Sequence, residues 1–469
     1  MKIVVLSLSL SVVLSVMLFL DVAGEEKTVS VSTDTNDKQE ESLVAGANRF
    51  VDALVAGRMK DVEGIIDPRA ASQMNSATLK AAWSRIEGSF GAYKNRLPAR
   101  VEALGPYKAV FVPAVFERAT MDLKVVCLKD GRISGFFIEP HKEGFKRADY
   151  DQPDMYLEKE VSIGIEPYKL AGTLCIPKEG GPFPAVVLVH GSGPHDRDES
   201  IGSSKPFLDL AHGLACRGIA VLRYEKRTRA HQEKMARRMK SGFTVNDETV
   251  DDALHAVEVL SARPETERID RRRIFVLGHS LGGMMIPRLA SMTTSAAGFI
   301  SLAGSNRSLT SMMIDQADYL IDLEGEDAGE WQKKRADFTR AAEKIDSLKS
   351  EGAGEAEESI LGAPPSYWLD LRKYEPLTEI KKIKKPVLFL QGEKDYQVTA
   401  SGDFQNWKEA VKDLEGADTR FRFELYPGLD HLFMPVEGKS KPADYFGPTR
   451  HVDPHVIEDI ASFIKTGSG

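Results

Sequence analysis

The chain has 469 residues, a length that predicts two or three domains with room for a large buried core. Hydrophobic residues make up 42% of the chain and charged residues 28%, which is ordinary for a soluble globular protein. This composition excludes wholesale disorder and a membrane protein with many spans. The formal net charge of -8 disfavours nucleic acid as the main partner.

Residues 1–24 have the pattern of a secretory signal peptide. Lys2 precedes an apolar run over residues 3–20, and small residues follow before an acidic pair. The pattern predicts cleavage near Gly24 and an exported protein, periplasmic or secreted, with no stable membrane insertion after cleavage. Because the apolar run approaches the length of one span, a retained membrane anchor is the alternative.

The cysteines favour neither a disulfide framework nor a metal site. The chain has only Cys127, Cys175 and Cys216, and an odd number cannot be fully paired within one chain. Each lies among apolar residues, so buried thiols are expected. No Cys/His spacing is typical of a metal site, and we predict no metal and no cofactor.

The region before residue 155 predicts a small domain without recognisable chemistry. Residues 25–42 are polar and predict a flexible spacer. Residues 43–145 show two helical patterns and then strand-like runs with a hairpin turn over residues 129–132. We therefore expect a small α+β domain of unknown role, followed by a linker.

Residues 155–467 predict a larger α/β domain. Two paired strands come first, and five largely apolar runs follow, separated by helical segments. The five runs are AVVLVH, IAVLRY, RIFVLG, GFISLAG and PVLFLQG. Such alternation predicts a mostly parallel sheet with helices on both faces and a ligand site at the carboxyl ends of the strands. The helical segment over residues 307–380 is too long for an ordinary crossover and predicts a cap over this site; a decoration elsewhere on the sheet is the alternative.

One strand-to-helix corner carries a serine between small residues. The sequence Gly278-His279-Ser280-Leu281-Gly282 matches the nucleophile elbow G-x-S-x-G, in which a strained turn lifts the serine hydroxyl clear of the sheet. The alternative is a tight turn in which Ser280 only caps the following helix. Chemistry at this corner also needs a base, a carboxylate that orients the base, and donors for an oxyanion.

Downstream residues supply a base and a carboxylate in the order serine, acid, histidine. Asp395 follows the run PVLFLQG, with Glu393 as the reserve candidate for the acid. Among the ten histidines only His431, His451 and His455 come later, and His431 directly follows a strand-like run. We therefore predict Ser280, Asp395 and His431 as nucleophile, acid and base.

A glycine-rich loop after AVVLVH predicts the oxyanion donors. Its glycines allow a close approach of main-chain amides to a substrate. We expect the N–H groups of Ser192 and Leu281 to form the oxyanion hole, with simple turn formation as the alternative for this loop. The charged run Asp196–Glu199 comes next, and we interpret it as a set of ion pairs that stabilises the loop; the alternative is that it shapes the entrance of the oxyanion loop.

Several of these segments together resemble a known family over about residues 155–467. The segments HGSGPHDRDES, YEKR, GHSLGG, SYWLDLRKYEP and QGEKDYQV are similar to those of EstD-type carboxylesterases in the α/β-hydrolase superfamily. The resemblance implies the α/β-hydrolase fold and esterase activity on small acyl esters. Ser280, Asp395 and His431 fall on that family's triad positions. Thr228 follows YEKR where similar sequences often have glycine, and the region before residue 145 is similar to a small domain often fused in front of these hydrolases.

Two aromatic residues in the insertion are candidates for substrate binding. Tyr367 and Trp368 either line the acyl pocket or anchor the cap to the core. A serine peptidase, an acyltransferase and a non-catalytic ligand-binding protein are the alternative functions. A dehalogenase is disfavoured because it would need a carboxylate at position 280. We expect a small-molecule ester as the substrate, and the sequence leaves the natural ester and the oligomeric state open.

Overall fold

The computed structural model describes residues 33–467, except residues 73, 105–106, 118, 142–144, 263–267, 326–327, 350–358 and 447. The chain forms two compact units that divide near residue 143. The predicted signal peptide and residues 25–32 of the predicted spacer lie outside the described residues. No helix in the described part of the chain is both long enough and apolar enough to cross a membrane.

The N-terminal unit packs two helices against an antiparallel sheet in which β1 and β2 both pair with β3, and the order continues to β4 and β5. Its elements are α1 (Thr33–Val55), a 3-10 turn (Met59–Ile65), α2 (Ser76–Phe90), β1 (Tyr93–Arg96), β2 (Arg100–Leu104), β3 (Tyr107–Phe116), β4 (Thr120–Cys127) and β5 (Ile133–Pro140). Ala47, Phe50, Val51 and Leu54 are buried on one face of α1, at the spacing expected of an amphipathic helix. The predicted α+β class of this unit is confirmed.

The first helix begins earlier than the sequence pattern predicts. We expected order to begin near Leu43, but α1 begins at Thr33, so the structure differs from the predicted spacer over residues 33–42. This segment contains Lys, Gln and Glu, which favour helix despite their polarity. Glu40 also forms an ion pair with Lys108, at 2.9 Å between Oε1 and Nζ.

The C-terminal unit is built on an eight-stranded sheet of order β13-β12-β11-β10-β8-β9-β7-β6. Its strands are β6 (Tyr156–Ile163), β7 (Leu170–Pro177), β8 (Phe183–Val189), β9 (Ala220–Tyr224), β10 (Ile269–His279), β11 (Gly298–Leu302), β12 (Val387–Gly392) and β13 (Phe421–Tyr426). β7 pairs antiparallel with β6 and β9, and every other pairing in this sheet is parallel. All residues of β8 and β12 are buried, because helices cover both faces.

Helices follow most of these strands, and two apolar clusters fill the space between helices and sheet. The helices are α3 (Pro206–Ala215), α4 (Arg227–Ala230), α5 (Gln232–Met239), α6 (Asp251–Ala262), α7 (Leu281–Met284), α8 (Ile286–Met292), α9 (Leu309–Glu324), α10 (Gly329–Ser347), α11 (Pro365–Lys373), α12 (Pro376–Glu379), α13 (Gln405–Val411), α14 (Ala417–Arg420) and α15 (Pro454–Thr466). Short π turns cover Asn246–Val250 and Ala400–Phe404, and 3-10 turns cover Pro153–Met155, Ile380–Lys382 and Pro442–Phe446. The predicted α/β class, with a mostly parallel sheet covered on both faces, is confirmed. α9 to α12 lie in the insertion between β11 and β12.

The predicted linker packs on the C-terminal unit instead of standing free. Tyr150 donates its hydroxyl to the carbonyl of Val452 at 2.9 Å, and a carboxylate oxygen of Asp151 lies 2.8 Å from His212 Nδ1. The compact unit therefore begins before residue 155, where the sequence predicted its start.

Candidate active site

Ser280 stands on a strained corner between β10 and α7. Its φ of 53° and ψ of -112° lie where residues other than glycine rarely occur. A Cβ at position 278 would lie 2.2 Å from the carbonyl oxygen of Gly282, and a Cβ at position 282 would lie 2.4 Å from that of Val189. Positions 278 and 282 therefore require glycine, because the neighbouring main chain leaves no room for a Cβ. Ser280 lies between them at the corner.

Asp395 and His431 are in direct contact on adjacent loops. The carboxylate oxygen Oδ2 of Asp395 lies 2.7 Å from His431 Nδ1 and also accepts a hydrogen bond from Gln391. The other oxygen, Oδ1, accepts the main-chain N–H groups of Gln397 and Val398. With donors at both oxygens, the Asp395 carboxylate is held in place and accepts the Nδ1–H of the His431 ring.

The loop that carries His431 packs on the serine corner. His279 Nε2 donates to the carbonyl of His431 at 3.0 Å, and the two rings lie 4.8 Å apart between centroids. Within the described residues the Ser280 hydroxyl makes no hydrogen bond. Such contacts commonly form only when a substrate is bound.

The other candidates for acid and base lie elsewhere. The Glu393 side chain is 47% exposed and accepts the N–H of Gly428. His451 pairs with Asp209, and His455 pairs with Asp453 at the surface. None of these three candidates contacts Ser280 or His431 in the described structure.

The amides of the glycine-rich loop are occupied on both sides of Ser192. The N–H of Gly191 donates to Glu199 at 2.7 Å, and the N–H of Gly193 donates to Glu248 at 3.3 Å. Within the described residues the N–H of Ser192 has no acceptor. Leu281 is the first residue of α7, so its N–H has no acceptor inside the helix. Among the described residues neither of the two amides predicted as oxyanion donors has an acceptor, and Ser192, Ser280 and Leu281 line one cavity.

The carbonyls of the same loop are also held. Lys226 Nζ donates to the carbonyl of Gly191 at 2.5 Å, and His195 Nε2 lies 2.7 Å from that of Ser192. The hydroxyl of Thr228 donates to the carbonyl of Gly193 at 3.4 Å. The main chain around Ser192 is therefore fixed by side chains from the following loop and from the segment after β9.

A buried ion pair joins this loop to the serine corner. Glu199 Oε2 lies 3.0 Å from His279 Nδ1, and both side chains are almost completely buried. Burial opposes the charge on both groups, but their mutual attraction and further neighbours act against it, so the pKa of His279 is raised and the pKa of Glu199 is lowered. Glu199 thereby links the nucleophile corner to the amide of Gly191.

Sequence reasoning missed Lys226 and Glu248 as part of the site. The available signal for Lys226 was its position two residues after the buried strand β9, at the same sheet edge as Ser280. Glu248 had no such signal, because it enters from a turn between helices that no motif connects to the site.

The cavity beside Ser280 is lined by residues of the insertion. α9 and α11 contribute apolar and polar side chains, namely Leu309, Met312, Met313, Gln316, Tyr367 and Trp368. Tyr367 also donates to Glu248 at 2.7 Å, and Trp368 donates to the carbonyl of Ile360 at 2.9 Å. Both aromatic residues line the cavity; the Tyr367 bond joins the insertion to Glu248, whereas the Trp368 bond stays within the insertion.

One group of potential metal ligands occurs in the described part of the chain, away from this cavity. Ligand atoms of Glu158, Cys175 and His212 lie within 4.8 Å of one another. Glu158 already pairs with Arg223, and His212 with Asp151. Burial raises the pKa of the Cys175 thiol, so it stays protonated. The trio has protein partners and offers a poor site for a cation.

Comparison with known proteins agrees with this architecture. Residues 186–446 match the model of the alpha/beta hydrolase family. The chain belongs to this family. Residues 47–136, in the N-terminal unit, match a family described only as a protein of unknown function.

A named relative of this α/β hydrolase is an esterase. The chain is 33% identical over 416 residues to Esterase EstD of Thermotoga maritima, covering 88% of this chain and 93% of that protein. A solved esterase of Pyrococcus furiosus is 15% identical with a TM-score of 0.40, covering 70% of this chain and 98% of that one. A hyperthermophilic esterase from Pyrobaculum calidifontis is 16% identical with a TM-score of 0.42, covering 68% and 87%.

We predict that Gly282→Ala disrupts the serine corner. The new Cβ would meet two main-chain carbonyls, at 2.4 Å from Val189 and 2.8 Å from His190. Overpacking of this kind costs about 1–3 kcal/mol or more. We expect a lower melting temperature and weak labelling of Ser280 by a fluorophosphonate. Gly329→Ala, on α10 with nothing within 4 Å, is the matched control. Normal labelling and stability of Gly282→Ala would contradict the required close approach.

We predict that Glu199→Gln lowers stability most between about pH 4.5 and 6.5. The stabilisation from Glu199 is present above its ordinary pKa of 4.5 and is lost as the pH falls through its lowered folded value. The stabilisation from His279 is complete below its ordinary pKa of 6.5 and is lost as the pH rises through the raised pKa of the folded protein.

The expected loss within this window is about 1–3 kcal/mol, as for a buried polar group that loses its partner. Thermal melts across pH 4–10 measure it, with Glu393→Gln at the surface as the control. A loss that does not change with pH would show that the pair is not charged.

Proposed function

We propose that this protein is a serine carboxylesterase that hydrolyses small acyl esters through an acyl-enzyme. Ser280 is the nucleophile, His431 the general base and Asp395 the acid. The observation that carries the proposal is the contact of 2.7 Å between Asp395 and His431, on a loop that packs against the strained Ser280 corner. The similarity to a named esterase over most of both chains supports the ester substrate.

Acylation follows from the protonation state of the histidine. Asp395 accepts Nδ1–H, so Nε2 of His431 carries the free lone pair and takes the proton of Ser280. Oγ of Ser280 attacks the ester carbonyl carbon, and the negative charge that develops on the carbonyl oxygen is stabilised by the N–H groups of Ser192 and Leu281. When the C–O bond breaks, His431 returns the proton to the leaving alkoxide, and the acyl group stays on Ser280.

Deacylation repeats the same steps with water. His431 takes a proton from water as its oxygen attacks the acyl carbon, and the oxyanion again lies against Ser192 and Leu281. When the bond to Oγ breaks, the proton passes to Ser280 and the carboxylic acid leaves. Each group that the cycle needs is present in the chain, so the proposal requires no cofactor.

The insertion over residues 307–380 acts as a cap that selects the acyl group. Support comes from the cavity, in which Met312, Met313 and Trp368 stand beside Ser280. Apolar side chains of this kind suit a hydrocarbon acyl chain, and methionine adapts to several shapes. The substrate class is therefore a small ester with an apolar acyl group.

The parts of the chain outside the C-terminal unit serve other purposes in this proposal. Residues 1–24 are a signal peptide that directs export, and the small N-terminal unit supplies no catalytic group. In this proposal the N-terminal unit contributes to the binding of larger substrates, to localisation or to assembly. The proposed partner is a small-molecule ester, and nucleic acid is not a partner.

We predict that Ser280→Ala and His431→Ala abolish hydrolysis of p-nitrophenyl acetate. Losses on the order of 10⁴-fold or more in kcat follow removal of such groups, because the acyl-enzyme cannot form. His455→Ala is the matched control, since this histidine is exposed and pairs only with Asp453. Full activity of Ser280→Ala would refute the mechanism. If His455→Ala lost activity and His431→Ala kept it, His431 would not be the general base.

We also predict that a truncated protein starting at Phe145 retains kcat/KM for the same ester. Every proposed catalytic and oxyanion residue lies after this point. A second truncation, starting at Asp154, should be less stable because it removes the contacts of Tyr150 and Asp151 with the C-terminal unit. Circular dichroism and thermal melts establish folding before kinetics are compared. A folded Phe145 truncation without activity would mean that the N-terminal unit completes the site.

A further inference from the structure

A buried ion pair lies behind the glycine-rich loop and has no part in the mechanism above. Lys226 follows β9, and its Nζ lies 2.7 Å from Oε1 of Glu248. The Lys226 side chain is 2% exposed and that of Glu248 8%. Removing two charges from water costs several kcal/mol, and hydrophobic residues of similar volume often give equal or greater stability. The pair therefore calls for an explanation other than stability.

Each charge of the pair holds a peptide group next to Ser192. Lys226 donates to the carbonyl of Gly191, and Glu248 accepts the N–H of Gly193. These two contacts fix the two peptide planes that flank Ser192: the Gly191–Ser192 plane, which contains the Ser192 N–H, and the Ser192–Gly193 plane. The direction of the Ser192 N–H, the proposed oxyanion donor, thus depends on where the Lys226–Glu248 pair lies.

Glu248 lies in a π turn, and its side chain reaches the amide of Gly193. Residues Asn246–Val250 form a π turn directly before α6. π turns are rare and occur frequently at functional sites, because the extra residue re-aims the side chains around it. Glu248 is also one of the residues that line the cavity with Ser280.

The third contact of Glu248 comes from the insertion. Tyr367 on α11 donates its hydroxyl to Oε2 of Glu248 at 2.7 Å, and its ring stacks on Phe243 at 5.8 Å between centroids. Burial, and then the charge of Glu248, raise the pKa of Tyr367, so the phenol stays protonated and remains a donor. One carboxylate therefore connects the cap to the loop that holds the oxyanion donor.

We propose that Glu248 is a positioning residue that sets the oxyanion hole, and that Tyr367 makes its geometry depend on a seated cap. Neither side chain touches the reacting atoms; both act through the Gly193 amide and Lys226. This inference rests on the serine-esterase mechanism proposed above. It assigns Tyr367 to transition-state stabilisation in addition to its place in the cavity wall.

The test compares three tyrosine and glutamate variants of the full chain. Tyr367→Phe removes only the hydroxyl and keeps the ring on Phe243; we expect kcat to fall about tenfold with KM nearly unchanged, less than the 10²–10³-fold that follows loss of an oxyanion donor itself. Glu248→Gln should lower kcat further. Because the hydroxyl acts through Glu248, the double variant should lose no more than Glu248→Gln alone.

The matched control is Tyr319→Phe. Tyr319 lies on α9 of the same insertion, and its hydroxyl donates to the main-chain carbonyl of Ser440 at 2.8 Å. This substitution removes a half-buried tyrosine hydroxyl bond of the cap without touching Glu248. We expect kcat of Tyr319→Phe to equal that of the unchanged protein.

Inhibitor binding separates positioning from a general loss of structure. A trifluoromethyl ketone forms a tetrahedral adduct with Ser280 and places an oxyanion in the hole, whereas the corresponding methyl ketone binds without an adduct. In Tyr367→Phe the affinity for the trifluoromethyl ketone should weaken in proportion to kcat/KM, and the affinity for the methyl ketone should not change. If Glu248→Gln does not fold, Tyr367→Phe alone still decides the result.

Two outcomes would overturn the inference. One is a change of KM and of methyl ketone affinity in Tyr367→Phe with kcat unaltered, which would limit Tyr367 to the cavity wall. The other is additive effects in the double variant, which would mean that Tyr367 does not act through Glu248. Failure of the underlying mechanism looks different, because Ser280→Ala would then remain active.

Discussion

The backbone of Ser280, with φ of 53°, is the constraint on which the C-terminal unit depends. A residue held in this region costs about 1–3 kcal/mol and persists only where its surroundings leave it no alternative. The surroundings here are main chain. The N–H of Ser280 donates to the carbonyl of Leu302 at 2.9 Å, at the end of the neighbouring strand. Gly282 lies against the carbonyl of Val189, at the end of β8, so the elbow is held between two strands, and positions 278 and 282 have no room for a side chain. The sheet thus bears the strain that presents the serine hydroxyl.

The parallel sheet also brings the other groups to the same place. The glycine-rich loop follows β8, Ser280 follows β10, Asp395 follows β12 and His431 follows β13, and carboxyl ends of parallel strands share one edge of a sheet. Loops at such an edge have few main-chain partners of their own. Buried charged side chains provide these partners instead. Glu199 accepts the N–H of Gly191 and pairs with His279. Lys226 donates to the carbonyl of Gly191, and its partner Glu248 accepts the N–H of Gly193. In the described part of the chain these contacts leave the amides of Ser192 and Leu281 without an acceptor, and Tyr367 extends the same set of contacts into the insertion.

Sequence predicted those features that follow from local pattern and chain order. The largely apolar runs predicted the parallel strands, because a strand buried on both faces has no polar alternation. The chain order after Ser280 predicted Asp395 and His431, and the structure brings these two residues into contact. The contacts of Lys226, Glu199 and Glu248 could not be predicted, since each joins residues far apart in sequence through geometry that no short motif encodes. The start of α1 at Thr33 and the packing of Tyr150 and Asp151 were missed for a related reason. Polar segments resemble spacers until a specific ion pair or hydrogen bond holds them.

The most direct test of the account is to trap the acyl group during turnover. The protein is mixed with excess p-nitrophenyl acetate, quenched in acid within the burst phase, and digested for peptide mass spectrometry. The account predicts an added acetyl group on Ser280 that appears with the burst of p-nitrophenol and is absent from Ser280→Ala. Steady hydrolysis without an acetylated Ser280, or an acetyl group that accumulates on another residue and keeps pace with turnover, would contradict it.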